Sequence, residues 1–347
     1  MADWYIDDQA VGANDGTSWS DAYTDPNSGT YAAGDNVYVR NGPYNLLWTI
    51  TDSGTAVSPI KIIGCDSSGD PIGAGSPYGS AGTVWFDGQS TRANCIEAGT
   101  EDNLAFYNIG CRNATGVGLN ATLWQTQYYL FDCEFSNNGV GGVSGLSLAI
   151  IARCKFQNNS EYGCLIYKSY IVDCFFSANL VYCVFVGSTG VFVDGCVFQN
   201  SPIGVSANSA ETHISNCTFF NCTDAGVRNL NTHLYVDKNL FHSCDKEYKD
   251  GNSGDQVFWD RNYKYNITNP NDISGSFHEV IPDVTLSTDP FVDAAGGDYK
   301  LVPGTEARGI ETYFNANNSS FNAAGALEPE QASGGGIFTP KQRIHGV

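Results

Sequence analysis

The feature that most constrains this chain is a repeat carried by cysteine and phenylalanine. Cys133 and Phe135, Cys154 and Phe156, Cys174 and Phe176, Cys196 and Phe198, and Cys217 and Phe219 recur with Cys-to-Cys steps of 21, 20, 22 and 21 residues, and Asn239 with Phe241 follows 22 residues later. A constant step of that length marks stacked structural repeats. Each unit has a second beat about ten residues on, at Gly142-Val143, Gly163-Cys164, Tyr182-Cys183, Gly204-Val205 and Gly226-Val227. Asparagine also returns four residues after the cysteine position, at Asn137, Asn158, Asn200 and Asn221.

These beats describe a short strand, a polar turn, a second short strand and a variable loop. Residues two apart on a strand share a face. Cysteine and phenylalanine are among the side chains most often buried, so that face is the inner one. A unit of this size cannot bury its inner face alone, but it can if each turn of chain lies on the one before. The expected fold is therefore all-β, a right-handed parallel β-helix (a solenoid) with coils of about 21 residues. The hand follows from the crossover rule. The asparagines suit the turn because asparagine tolerates the left-handed conformation and its amide can bond to its own kind in the coils above and below.

Twelve cysteines raise the question of disulfides. Stacked cysteines stand close enough to bridge. Five in one column cannot all pair, however, and in-register side chains point parallel, so the expected state is free, buried thiols acting as small hydrophobes. No CxxC pair occurs and a straight column does not converge on one ion, so no zinc site is expected.

The formal net charge is −20, from 37 acids against 17 bases. Such a surface repels nucleic acid and anionic membranes, and polyanionic polysaccharides as well unless a divalent cation intervenes. No apolar run is long enough for a membrane span, and the N-terminal residues Met1-Ala2-Asp3-Trp4-Tyr5 lack the pattern of a secretory leader. No nucleic-acid or membrane partner and no cofactor is expected, calcium being the one ion that an acidic face could take.

In chain order, residues 1–50 read as an N-terminal cap with first strands and 51–244 as the coils. Residues 245–330 read as irregular C-terminal coils and a cap, and 331–347 as a Gly-rich linker with a docking tail. The segments Gly12 to Trp19 and Gly34 to Tyr44 carry G-x-[DN]-G-T-S-W and G-D-x-[VI]-[YW]-[VI]-x-x-G-x-Y phrases. Near the end stand Asp289-Pro290-Phe291, Asp298-Tyr299-Lys300-Leu301, Pro303-Gly304-Thr305 and Gly325-Ala326-Leu327-Glu328. With the period, these resemble the pectate-lyase-like β-helix superfamily over roughly residues 4–328. The helix that usually separates the two N-terminal phrases is not evident.

That resemblance implies catalysis by acids and bases on one outer sheet face. Asp132, Asp173, Asp194 and Asp237 lie one or two residues before the cysteine column and could form an acidic line there, and Glu134 beside Lys155 suits a cross-strand ion pair. His213 and His233, 20 residues apart, suggest a stacked pair. No paired-Asp and G-H-G pattern of a polygalacturonase-type hydrolase is present. The best sugar-binding candidates are Trp259, Tyr263 and Tyr265 with Asp260, Arg261 and Lys264, since aromatic faces stack on sugar rings. Ile337, Phe338, Lys341, Arg343 and Ile344 form a basic, partly apolar tail suited to docking on a protein partner. These features favour a non-enzymatic structural or adhesive β-helix with glycan binding, of the kind found in phage virions as capsid decoration or tail-associated protein. Such a protein would be made in a host cytoplasm. The alternatives are a polysaccharide lyase or glycoside hydrolase, or a secreted cell-surface glycan binder. Homotrimers are common among virion β-helices, but no residue here marks one.

Overall fold

The computed structural model describes residues 1–72, 84–122, 127–208, 211–230, 233–251, 256–269, 271, 276–281, 283–293 and 298–301, the strands within 276–281, 292–293 and 298–301 by backbone only. Three long sheets of 12, 10 and 9 strands, here A, B and C, run side by side. They form a β-solenoid of about ten turns with coils of about 22 residues and almost no helix. Each regular coil contributes one strand to each sheet. Tyr170–Val172, Phe175–Ser177 and Tyr182–Val186 are one such set. Between the two N-terminal phrases stands a single 3-10 turn, Pro26–Ser28.

The cysteines stand at the corner between sheets A and B. The residue before each of the five column cysteines, and before Asn239 and Asn262, lies in the left-handed region: Asp132, Arg153, Asp173, Gly195, Asn216, Lys238 and Arg261, with φ between 47° and 62°. The column they turn inward is fully buried from Cys133 to Cys217. All twelve cysteines are free and buried. Sulfur also accepts hydrogen bonds here, since the Cys154 and Cys174 amides point at Cys174 and Cys196 Sγ at 3.3 and 3.4 Å. Asn239 and Asn262 continue the column, each taking the backbone amide of the coil before through Oδ1, at 2.9 Å in both cases.

The phenylalanines form the expected inner ladder. Phe135, Phe156, Phe176, Phe198, Phe219 and Phe241 stack in sequence with ring centroids 4.7 to 5.2 Å apart. Their rings press on sheet C at Gly142, Gly163, Gly204 and Gly226, where an added Cβ would meet a phenylalanine ring within 3 Å. Cys183, not Tyr182, occupies the glycine column, because Tyr182 pairs with Tyr162.

At the corner between B and C, Asn137, Asn158, Asn200 and Asn221 take the left-handed turn as expected. The buried amide ladder lies one residue later. Asn138 Nδ2 donates to Asn159 Oδ1 and Asn159 Nδ2 to Asn179 Oδ1, both at 3.0 Å. The left-handed residue itself must point its side chain outward, so the residue after it faces the core.

Among the described residues sheet C ends at Tyr248–Asp250, but sheets A and B continue past residue 245 into the stretch expected to be irregular. Sheet A runs on through Gln256–Asp260 to Ser276–Ile281, and sheet B through Tyr263–Tyr265 to Val284–Thr285. Asp260-Arg261-Asn262-Tyr263 repeats Asp237-Lys238-Asn239-Leu240. Beyond it, Leu286 and Phe291 fold onto the outer face of sheet B and bury Val197, Leu240 and Tyr263. A two-stranded antiparallel ladder, Phe291–Asp293 with Asp298–Leu301, closes the described chain.

Candidate functional site

Trp259 stands on the inner side of sheet A, in register with Val236, and is 1% exposed. Its ring stacks on Phe241 at 5.6 Å, filling the ladder position that Lys264 would otherwise occupy, since Lys264 is the residue in register with Phe241. Its Nε1 donates to Asp283 Oδ1 at 2.7 Å. Tyr263 is buried under the C-terminal segment, and half-buried Tyr265 lies tilted against His242. Lys264 Nζ sits 3.3 Å from Glu247 Oε1 and 3.6 Å from Asp283 Oδ2. Burial works against the Lys264 charge, but Glu247 and Asp283 outweigh it and raise its pKa. Burial, with Asp283 beside it, pushes Glu247 up to about 8. Asp260 and Arg261 lie at the neighbouring corner. These six residues therefore do not make an open aromatic platform, because two of the three rings are core. The expected docking residues Ile337, Phe338, Lys341, Arg343 and Ile344 lie outside the described residues.

The open aromatic surface is elsewhere, on the outer face of sheet A. Tyr129, Ile150, Tyr170, Phe192, His213, Tyr235 and Phe258 are in register from coil to coil. From Tyr170 on, the rings stack on one another. Centroid distances are 4.9 Å for Tyr170 to Phe192, 4.7 Å for Phe192 to His213, 4.3 Å for His213 to Tyr235 and 4.9 Å for Tyr235 to Phe258, with planes within 16° of parallel. Tyr170 is 50% and Phe192 36% exposed. Six coil steps of about 4.8 Å make this stripe roughly 29 Å long.

Offset stacking follows from the strand spacing, which exceeds the thickness of a ring. Each ring therefore leans, covers part of the next and leaves a strip of face and edge toward solvent. His213 is thus placed in the stripe on Tyr235, not over His233, which stands two residues earlier on its strand. The sequence did carry a signal for the stripe. Its members lie four residues before Cys133, Cys154, Cys174, Cys196, Cys217, Asn239 and Asn262.

Polar groups border the stripe. Two residues further along each strand stand Asp194, Ser215, Asp237 and Asp260, in register with one another, and on the other side Glu211 and His233. The expected acidic line is therefore two adjacent columns. Asp194 and Asp237 end strands, while Asp132 and Asp173 sit at the corner with Arg153 between them. Arg153 grips Asp132 through Nε and Nη2, at 2.8 and 2.7 Å. Asp194 Oδ1 accepts from Ser215 Oγ at 2.8 Å and Asn216 Nδ2 at 2.7 Å. Asp173 lies over Gly195, where any Cβ would collide with its carboxylate. Burial, and then the Asp194 charge, push Asp173 up to about 6. Burial lowers the His213 pKa, with Asp237 and Glu211 opposing. On sheet B the expected pair of Glu134 and Lys155 forms in register at 3.7 Å. Among the described residues no three His, Cys, Asp or Glu side chains are placed to hold a metal ion.

No protein-family model matches this chain, and no curated protein matches it. Solved structures do. An alginate lyase from Paenibacillus sp. str. FPU-7 is similar with a TM-score of 0.56 and 12% identity, over 70% of this chain and 93% of that one. A GH136 lacto-N-biosidase from Eubacterium ramulus gives 0.57 and 11%, over 80% and 68%. Pectate lyase Pel9A gives 0.54 and 13%, over 94% and 90%. At these identities the likeness is one of fold alone: the chain is a parallel β-solenoid, similar to those proteins in backbone path.

Proposed function

We propose that this protein engages a polysaccharide chain along the outer face of sheet A, against the stripe from Tyr129 to Phe258. The observation that carries this reading is the outward-facing ring ladder Tyr170, Phe192, His213, Tyr235 and Phe258, exposed at Tyr170 and Phe192 and half-buried beyond, bordered by carboxylates and the Ser215 hydroxyl. Sugar rings present apolar C–H faces that pack on aromatic groups, while their hydroxyls bond to flanking acceptors. A protein partner fits less well. The stripe is one residue wide, and protein interfaces need a broader apolar centre. Sheet B is closed to any ligand at Val197, Leu240 and Tyr263 by the chain's own Leu286 and Phe291. The fold neighbours include proteins named for alginate, pectate and lacto-N-biose chemistry, which is consistent with a carbohydrate ligand.

The test is affinity electrophoresis in gels cast with a panel of polysaccharides. Retardation of the protein by at least one of them, reduced about tenfold in affinity by Tyr170→Ala or Phe192→Ala, is the expected result. No retardation by any, or retardation indifferent to both substitutions, overturns the assignment.

Asp173 favours a second reading, cleavage of the bound chain. A carboxyl that burial and the neighbouring Asp194 charge hold protonated to about pH 6 can protonate a leaving oxygen near neutral pH. In this reading Asp173 gives its proton to the glycosidic oxygen as that bond breaks. Water adds to the anomeric carbon and its proton passes to Asp194. Incubation with the retarding polysaccharide should then release reducing ends, and Asp173→Asn should abolish that release without changing retardation. An unchanged reducing-end count in the wild-type digest removes this reading and leaves binding in place.

A further inference from the structure

The face around the stripe is not electrically neutral, and this bears on which polysaccharide it accepts. Along the side towards sheet B stand Asp194, Asp237 and Asp260, with Asp173 at the adjoining corner, and Glu211 borders the opposite side. The cations nearby are fewer and are partly engaged. Lys238 Nζ lies 3.2 Å from Asp237 Oδ2, and Arg153 is held bidentate by Asp132. Lys168 and Arg261 stand at separate corners of the face and are exposed. The whole chain adds its net charge of −20 to this local excess. A polymer carrying a carboxylate on every sugar would place negative charges alongside Asp194, Asp237 and Asp260, which stand in register on three of four successive coils with Ser215 on the other. Like charges at such spacing repel, and the low-dielectric ring surface between them lessens the screening.

We infer that the sheet A stripe accepts an uncharged or amino-bearing polysaccharide and rejects polyuronates. This rests on the proposal that the stripe is the binding face, and it adds the charge class of the ligand. It also sets the protein apart from the two fold neighbours named for alginate and pectate, with which it shares backbone path but no more than 13% of residues. On this reading the carboxylates accept hydrogen bonds from sugar hydroxyls or ammonium groups, which they do best when ionised. The aromatic stripe contributes the part of the affinity that does not depend on salt.

The experiment uses the full chain with four probes: xylan and a mixed-linkage β-glucan as neutral chains, chitosan as the amino chain, and alginate as the polyuronate. Each is run at low and high salt, and with EDTA or calcium. Retardation by a neutral chain should be unchanged by salt, retardation by chitosan should weaken several-fold as salt rises, and alginate should give none. The double variant Asp194→Lys plus Asp237→Lys should lose chitosan binding and gain alginate binding. Its circular dichroism and melting temperature report whether it folds. Should it not fold, Asp237→Asn read by salt dependence alone takes its place, with a smaller shift in the same direction.

Two failures are distinguishable. If alginate binds the wild-type protein, with EDTA or with calcium, and Tyr170→Ala removes that binding, the stripe is the binding face and the charge assignment is wrong. If Tyr170→Ala changes nothing for any probe, the stripe itself is not the binding face.

Discussion

At the scale of single residues, the outcome turns on which side of a strand a side chain faces. Trp259 looks like a sugar platform in the sequence because it sits among tyrosines and charges. One backbone position decides otherwise, since it shares the inner side of sheet A with Val236. Asp173 shows the same sensitivity in its charge. Its pKa rises to about 6 in the fold from an ordinary 3.8, so the fold favours the protonated form. Its own contribution to stability is then fullest below about pH 4 and is lost as the pH climbs through 6. Asp173→Asn should therefore melt above the wild type at pH 8, by roughly 2–3 kcal/mol, and the gap should close at pH 4. His213 behaves oppositely. Burial favours its neutral form, so its contribution is intact above the ordinary histidine value and is lost as the pH falls below it. His213→Phe keeps a ring in the stripe, and thermal melts should show less acid destabilisation than the wild type, with polysaccharide retardation retained.

At the scale of the elements, inner and outer ladders have the same geometry and different consequences. Phe176 is stacked between Phe156 and Phe198 with no exposed surface. Truncating it leaves a cavity the neighbouring coils cannot close, because the strand ladder fixes their spacing. Phe176→Ala should cost about 3–5 kcal/mol in chemical denaturation. Tyr170→Ala, on the exposed ladder, should cost about 1 kcal/mol or less, since half its surface is already in water. Equal losses for the two variants would mean that the outer stripe is structural. The amide ladder separates legible from illegible in the same way. The period locates Asn137 and Asn158, but the buried amides are Asn138 and Asn159. A left-handed residue turns its side chain out and its successor in, which a spacing argument does not resolve.

At the scale of the whole molecule, each sheet has a different fate. Sheet B is covered by the segment carrying Leu286 and Phe291, with His242 Nε2 held 3.0 Å from Asp289 Oδ1. Sheet A keeps its outer stripe open to solvent, most of all at Tyr170 and Phe192. Continuous stacking from residue 3 to residue 281 also means that one rod encloses every cysteine. Thiol reagents should find almost none of the twelve in the native protein and all of them after unfolding, since every one is buried away from the reagent. Rapid labelling of several cysteines in the native state would contradict the enclosed column.

The sequence by itself determined the solenoid. A cysteine and a phenylalanine two apart, returning every 20 to 22 residues, can be buried only by stacking coils in register, and free thiols follow from the same column. The outer stripe was equally periodic, four residues before the cysteines, yet its mixed Tyr, Ile, Phe and His composition hid it beside a repeat of identical residues. Only the tertiary structure decided which periodic positions face water. Facing is set by the left-handed corner residues and by which sheet the C-terminal segment covers. Both are long-range consequences of coils lying on one another, and no local stretch of chain encodes them.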